Sequence, residues 1–177
     1  MWHEGSQTPG LGRTVGTRTA HIGGPFALID QNGRARGSAD FRGRFMLVYF
    51  GYTYCPDVCP TTLGVIADAL DKMGPDSRRV VPIFITVDPA RDTPKVLGAY
   101  LAAFGPEFVG LTGSQQALDK VESEYNVYAR KHPLPGGGYG MDHSSVIYLM
   151  GPSGKLVTYY DDVISPAALA ADLEKRF

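Results

Sequence analysis

Gly51-Tyr52-Thr53-Tyr54-Cys55-Pro56-Asp57-Val58-Cys59-Pro60 holds both cysteines of a 177-residue chain, with three residues between them. The run before it, Phe45-Met46-Leu47-Val48-Tyr49-Phe50, is apolar throughout and reads as a central strand buried on both faces. After it, Leu63, Ile66, Ala67, Leu70 and Met73 recur at three- and four-residue spacing, which makes Thr61 to Met73 an amphipathic helix. Strand, cysteine turn and helix in that order place two thiols at the carboxyl end of a buried strand, where α/β folds gather their reactive groups. If Cys55 to Cys59 form one helical turn, the backbone rises about 6 Å between them. Both sulfurs can then face one side, close enough for a disulfide or for one shared metal ion.

Pro60 constrains that turn. The residue before a proline is pushed out of the α region. The expectation is a single loose turn from Cys55 to Cys59, with Pro60 at the first position of the helix. Sulfurs near the positive end of a helix favour the thiolate, with pKa values from about 3.5 to 7.5 against about 8.5 for a free cysteine. Thiolate is both the nucleophile of a dithiol reductase and a ligand for soft metals. Dithiol reductases of the thioredoxin type use two intervening residues; the wider turn here also leaves room for an ion. Two thiolates suit Cu(I), with a neutral imidazole as the natural third ligand. Zinc fits less well, since a structural zinc site uses four protein ligands and the chain has no third cysteine.

Outward from this centre, strands and helices alternate. Val80 to Val87 reads as a second buried strand, with Pro82 near its start. The turn Asp88-Pro89-Ala90-Arg91-Asp92 follows, and Thr93 with Pro94 caps a helix running to about Phe104. Phe108 to Leu111 is a short strand; Ser114 caps a helix to about Tyr125; Asn126 to Lys131 is a further strand. Pro133 to Met141, rich in glycine, reads as a flexible loop leading to His143. Ser145 to Met150 and Lys155 to Tyr160 form a hairpin, and 166–176 a closing helix. Upstream, Pro25 to Asp30 enters a hairpin turn at Gln31-Asn32-Gly33, and Ser38 to Gly43 is a polar connector. Residues 1–22 show no apolar period and read as a mobile leader or expression remnant, leaving 23–177 as one domain. The expected fold class is α/β and thioredoxin-like: a central mixed sheet flanked by helices, with an added N-terminal β-hairpin.

Composition excludes some functions. A formal net charge of −1 gives no reason to expect nucleic acid. No stretch reaches the roughly 18 apolar residues of a membrane span, and the start does not carry a charged region followed by an apolar one, as a signal peptide would. Of the four histidines, His3 and His21 lie in the leader and His132 in a polar loop. His143 stands where the glycine-rich loop enters the apolar strand Val146 to Leu149, the loop that faces the cysteine turn in a thioredoxin-like fold.

The cysteine turn, the stretch Asp88-Pro89-Ala90-Arg91-Asp92-Thr93-Pro94 and Asp142-His143-Ser144 together resemble the three motifs of the SCO/SenC family. These are copper-binding, thioredoxin-like proteins of cytochrome c oxidase assembly, and the resemblance runs from about Gly24 to the C-terminus. It implies that Cys55, Cys59 and His143 bind copper, as Cu(I) and possibly as Cu(II), with Asp57 and Asp88 supporting the site or the meeting with a partner. It further implies delivery of copper to the copper A centre of cytochrome c oxidase subunit II, or reduction of that subunit's cysteines. A periplasmic copper donor or thiol reductant would serve it, at the periplasmic face of a bacterial inner membrane. Tyr54 stands where the family often has His, which removes one nitrogen near the metal but none of the three ligands. Family members usually carry a membrane anchor or lipoprotein signal, and the expectation is a tethered domain met here without its tether.

Two readings of the dithiol therefore stand side by side. One is a copper chaperone; the other is a thiol-disulfide oxidoreductase in which Cys55 attacks and Cys59 resolves. A thiol peroxidase would need an arginine beside Thr53, which the sequence does not clearly place.

Overall fold

The structure, a computed structural model, describes residues 21–177 and the backbone of Arg13–Thr14. His3 and most of the expected leader lie outside the described residues. The strand Phe45–Gly51 is β4, and it runs parallel to β5 (Val80–Thr86), which is parallel to β6 (Val109–Thr112). On the other side β4 pairs antiparallel with β9 (Val146–Met150), and β9 with β10 (Leu156–Asp161). The hairpin of β2 (Ala27–Asp30) and β3 (Ala35–Gly37) extends the sheet beyond β6, and Arg13–Thr14, β1, pairs with β10. Among the described residues the mixed sheet thus has eight strands in the order β1-β10-β9-β4-β5-β6-β2-β3. The expected fold class and the added hairpin are both present.

Alternation along β4 shows why it is central. Leu47 and Tyr49 point into one core with Leu63, Ile66 and Leu70 of α1 (Val58–Met73). The same core takes Leu97 of α2 (Pro94–Leu101) and Leu169 and Leu173 of α4 (Pro166–Glu174). Met46, Val48 and Phe50 point the other way, to Leu118 and Val121 of α3 (Gln115–Glu124). A strand buried on both faces needs apolar residues at every position, as this one has. The helix starts follow local chemistry: the hydroxyls of Thr93, Ser114 and Ser165 accept from the N–H groups of Val96, Ala117 and Ala168, at 3.3, 3.1 and 3.2 Å.

Several boundaries differ from the sequence reading. The β2–β3 turn uses a positive φ at Gly33 alone, while the Asp30 carboxylate accepts from the N–H groups of Asn32 and Arg34 at 2.9 and 3.0 Å. Ser38–Phe41 is a short 3₁₀ helix rather than a plain connector, and α2 stops at Leu101, short of Phe104. The expected strand at Asn126 begins only at Ala129, because Asn126 adopts φ 54. The largest difference concerns the glycine-rich loop. Its last three residues open a strand, β8 (Tyr139–His143), antiparallel to β7 (Ala129–Pro133), in a two-stranded sheet of its own.

Candidate metal centre

Three segments meet at the carboxyl end of β4. Cys55 lies in the loop after the strand, Cys59 in the first turn of α1, and His143 at the end of β8. Their ligand atoms (two Sγ and one imidazole nitrogen) all lie within 4.8 Å of one another. His143 Nε2 is 3.6 Å from Cys59 Sγ. Among the described residues, no other His, Cys, Asp or Glu forms such a group.

The start of α1 corrects the expectation for Pro60. The helix begins at Val58, with Asp57 as its N-cap residue, so Cys59 is already helical and Pro60 is the third helical residue. A helix leaves its first N–H groups without intrahelical partners, so a proline anywhere in that turn forfeits no hydrogen bond. The orphan N–H of Cys59 instead points at Cys55 Sγ, 3.4 Å away. The two cysteines are free thiols, Cys59 fully buried and Cys55 half-buried.

Packing fixes each group in place. A Cβ on Gly51 would sit 2.7 Å from Cys59 Sγ and 2.9 Å from the Phe84 ring, so only glycine lets the strand pass this close to the sulfur. The Tyr49 hydroxyl reaches Cys59 Sγ at 3.9 Å. Tyr52 and Tyr49 meet the His143 ring edge-on, with centroids 5.7 and 6.3 Å away. His143 Nδ1 lies 3.0 Å from the Ser144 carbonyl oxygen. A carbonyl can only accept, so Nδ1 carries the proton and the Nε2 lone pair faces the sulfurs. Metal-binding histidines are commonly oriented this way.

Electrostatics separates the two thiols. A hydrogen bond from the Cys59 thiol drives the Cys55 pKa down to about 5 against opposing burial, with help from the Cys59 and Asp57 N–H groups. Cys59 is pushed strongly up, first by that same bond to Cys55 and then by burial. The surroundings thus favour the thiolate at the half-buried Cys55 and the protonated thiol at the buried Cys59.

The other sequence candidates fall around this centre. The exposed Asp57 touches the site through its backbone. Asp88 is fully buried at the end of β5, but its carboxylate is taken by Arg91 Nε at 2.5 Å and the Tyr139 hydroxyl at 2.7 Å. His132 lies on β7 rather than in a loop, its Nδ1 3.1 Å from an Asp142 oxygen; His21 is exposed, and neither belongs to the cluster. Tyr54 is exposed and stacks on the Arg91 guanidinium at 4.4 Å. Thr53 has an acid, not an arginine, as its partner. Asp92 accepts from the Thr53 N–H at 3.0 Å, the Thr53 hydroxyl at 2.5 Å and the Thr86 hydroxyl at 2.7 Å. Sequence reasoning missed Gly51, Arg91, Asp92 and Tyr139 as parts of the site, although the Asp88–Pro94 motif already contained two of them.

The sequence profile of the SCO1/SenC family matches residues 14–177. The chain belongs to this family. A SCO2-like protein of Rickettsia prowazekii is 43% identical over 141 residues, which cover 78% of this chain and 69% of that one. The Sco fold is equally plain in solved structures. Bradyrhizobium japonicum ScoI with copper bound superposes with a TM-score of 0.83 at 46% identity, covering 88% of this chain and 99% of that one. Arabidopsis thaliana ScoI with copper bound gives 0.83 at 39% identity, covering 87% and 96%.

The Sco donor set here has a definite chemical preference. Two soft sulfurs and one imidazole, convergent and partly buried, fit copper, whereas structural zinc and hard cations call for more ligands or oxygen. The same dithiol can also exchange with a disulfide, its low-pKa member being the one that solvent reaches.

Proposed function

We propose that this Sco protein is a copper chaperone, holding copper on the Cys55 and Cys59 sulfurs and the His143 Nε2. The ion then passes by ligand exchange to the copper A centre of cytochrome c oxidase subunit II. The observation that carries this reading is the convergence of the three donor atoms within 4.8 Å, with the imidazole Nε2 only 3.6 Å from Cys59 Sγ. The copper-bound ScoI structures of two relatives support it. Copper is the cargo; the protein supplies a low-coordinate cage that a partner's thiolates can invade. Both sulfurs must be reduced to bind, so a Cys55–Cys59 disulfide switches binding off. The setting proposed is the periplasmic face of a bacterial inner membrane, where a copper donor or a thiol reductant serves the site. No helix among the described residues is long and apolar enough to cross a membrane.

A second reading, reduction of the target's copper A cysteines, is favoured by the asymmetry of the thiols. The Cys55 thiolate would attack the target disulfide and release one target thiolate. Cys59, losing its proton, would then attack the Cys55 sulfur of the mixed disulfide. The second target thiol leaves, and two electrons have moved to the target while Cys55–Cys59 becomes a disulfide. One experiment separates the readings: a soluble copper A domain is mixed either reduced with copper-loaded protein or oxidised with metal-free protein. Copper transfer lost in His143→Ala supports the chaperone. Thiol release that survives His143→Ala, without any transfer, overturns it in favour of the reductase.

A further inference from the structure

His143 rides on a structure that cannot hold itself in place. The hairpin β7–β8 stands apart from the eight-stranded sheet, and an isolated two-stranded hairpin is marginal in water. Its base is tied down where Ser144 N–H donates to the Tyr128 carbonyl at 3.0 Å and Tyr128 N–H to the Ser144 hydroxyl at 2.9 Å. Its middle is held by Met141, which is buried in the core. Tyr139, Met141 and His143 share the inward face of β8 by the two-residue period of a strand, with the exposed Asp142 on the other. Whatever fixes Tyr139 therefore helps to fix the imidazole four residues on.

Arg91 is what fixes Tyr139. Its Nε binds Asp88 at 2.5 Å, its Nη1 donates to the Tyr139 carbonyl at 2.9 Å, and its guanidinium lies 3.7 Å from the Tyr139 ring centroid. The same guanidinium lies 4.4 Å from the ring of Tyr54, beside Cys55. The Tyr139 hydroxyl closes the loop by donating to Asp88 at 2.7 Å. One planar cation thus joins the turn after β5, the cysteine loop and β8. We propose that Arg91 is a positioning residue: it pins the hairpin against the cysteine loop and so sets where the His143 ring stands relative to the two sulfurs. The inference deepens the copper reading, but the attachment itself is a property of the metal-free protein.

Lysine is the informative replacement. It keeps a charge beside the fully buried Asp88, which would otherwise be left uncompensated. Being a point charge, it cannot fork between a carboxylate and a carbonyl while also covering two rings. In metal-free Arg91→Lys, amide hydrogen exchange across 139–143 should quicken about ten-fold, while that of β4 and β5 stays unchanged. The nuclear Overhauser contact between the His143 and Tyr52 rings should weaken. With Cu(II) added, the nitrogen hyperfine signature of imidazole should fade relative to wild type. Unchanged hairpin exchange, or exchange quickened equally in β4 and β5, overturns the proposal. If Arg91→Lys does not fold, Tyr139→Leu, which removes the ring the guanidinium packs against, decides it: exchange quickened in the hairpin alone supports the clamp, and unchanged exchange refutes it. Should wild type bind no copper at all, the exchange result still stands by itself and only the copper reading falls.

Discussion

Gly51 and Cys59 stand so close that a single methyl group on the glycine would lie 2.7 Å from the cysteine sulfur. Behind it the Phe84 ring blocks retreat at 2.9 Å, so the sulfur or the aromatic core must move. Gly51→Ala should therefore cost about 1–3 kcal/mol of stability, the usual penalty of overpacking. It should also weaken Cu(I) binding, because the displaced atom is one of the proposed donors. Urea unfolding and competition against a calibrated Cu(I) chelator measure the two effects.

Asp92 is a second support, reached from the other side. It is fully buried and accepts from Thr53 and Thr86, tying the cysteine loop to β5. Asp92→Ala strands those donors, and each unsatisfied buried group costs about 1–3 kcal/mol. A drop on the order of 3 kcal/mol in urea unfolding is expected, against a smaller one for Asp92→Asn, which keeps one acceptor oxygen.

The thiol asymmetry gives a pH prediction. With Cys55 held down to about 5, its thiolate fraction is already complete near neutrality. Alkylation of Cys55 by iodoacetamide should then rise with pH only up to about pH 6 and level off, whereas an ordinary thiol would still be climbing at about pH 8. Cys59, protonated and buried, should stay unmodified. Mass mapping of the alkylated peptide across the pH series checks both.

Proton release follows from the same pair. If copper is held by both sulfurs as proposed, the low pKa of Cys55 means that it brings a thiolate, while Cys59 must surrender a proton. Loading at about pH 7.5 should release about one proton per Cu(I), and affinity should rise with pH at about one log unit per pH unit. Calorimetry in buffers of different ionisation enthalpy counts the protons. Release of nearly two would mean that Cys55 is an ordinary thiol.

The parts of this molecule that were legible in its sequence are those where one local signal suffices. Phe45 to Phe50 is apolar at every position, and only a strand buried on both faces asks for that. The caps at Thr93 and Ser114 are read from one hydroxyl each. Pro60 misled because it was weighed as a helix opener, whereas the first turn tolerates proline at its third residue too. The strand β8 was hidden by its glycines, although Tyr139, Met141 and His143 do alternate. Gly51, Arg91 and Asp92 went unread for a different reason. Their roles lie in contacts with Cys59, Tyr139 and Thr53, which only the folded chain brings near.

The most direct measurement is X-ray absorption at the copper edge on protein loaded anaerobically with Cu(I), compared between wild type and His143→Ala. One ion per chain bound by two sulfurs and one nitrogen is the expected wild-type result. The variant should lose the nitrogen and fall in affinity by more than the roughly 10–100-fold that losing a mere outer partner costs. Identical spectra and stoichiometry in the two proteins would contradict it, for the imidazole on β8 would then be no part of the copper site.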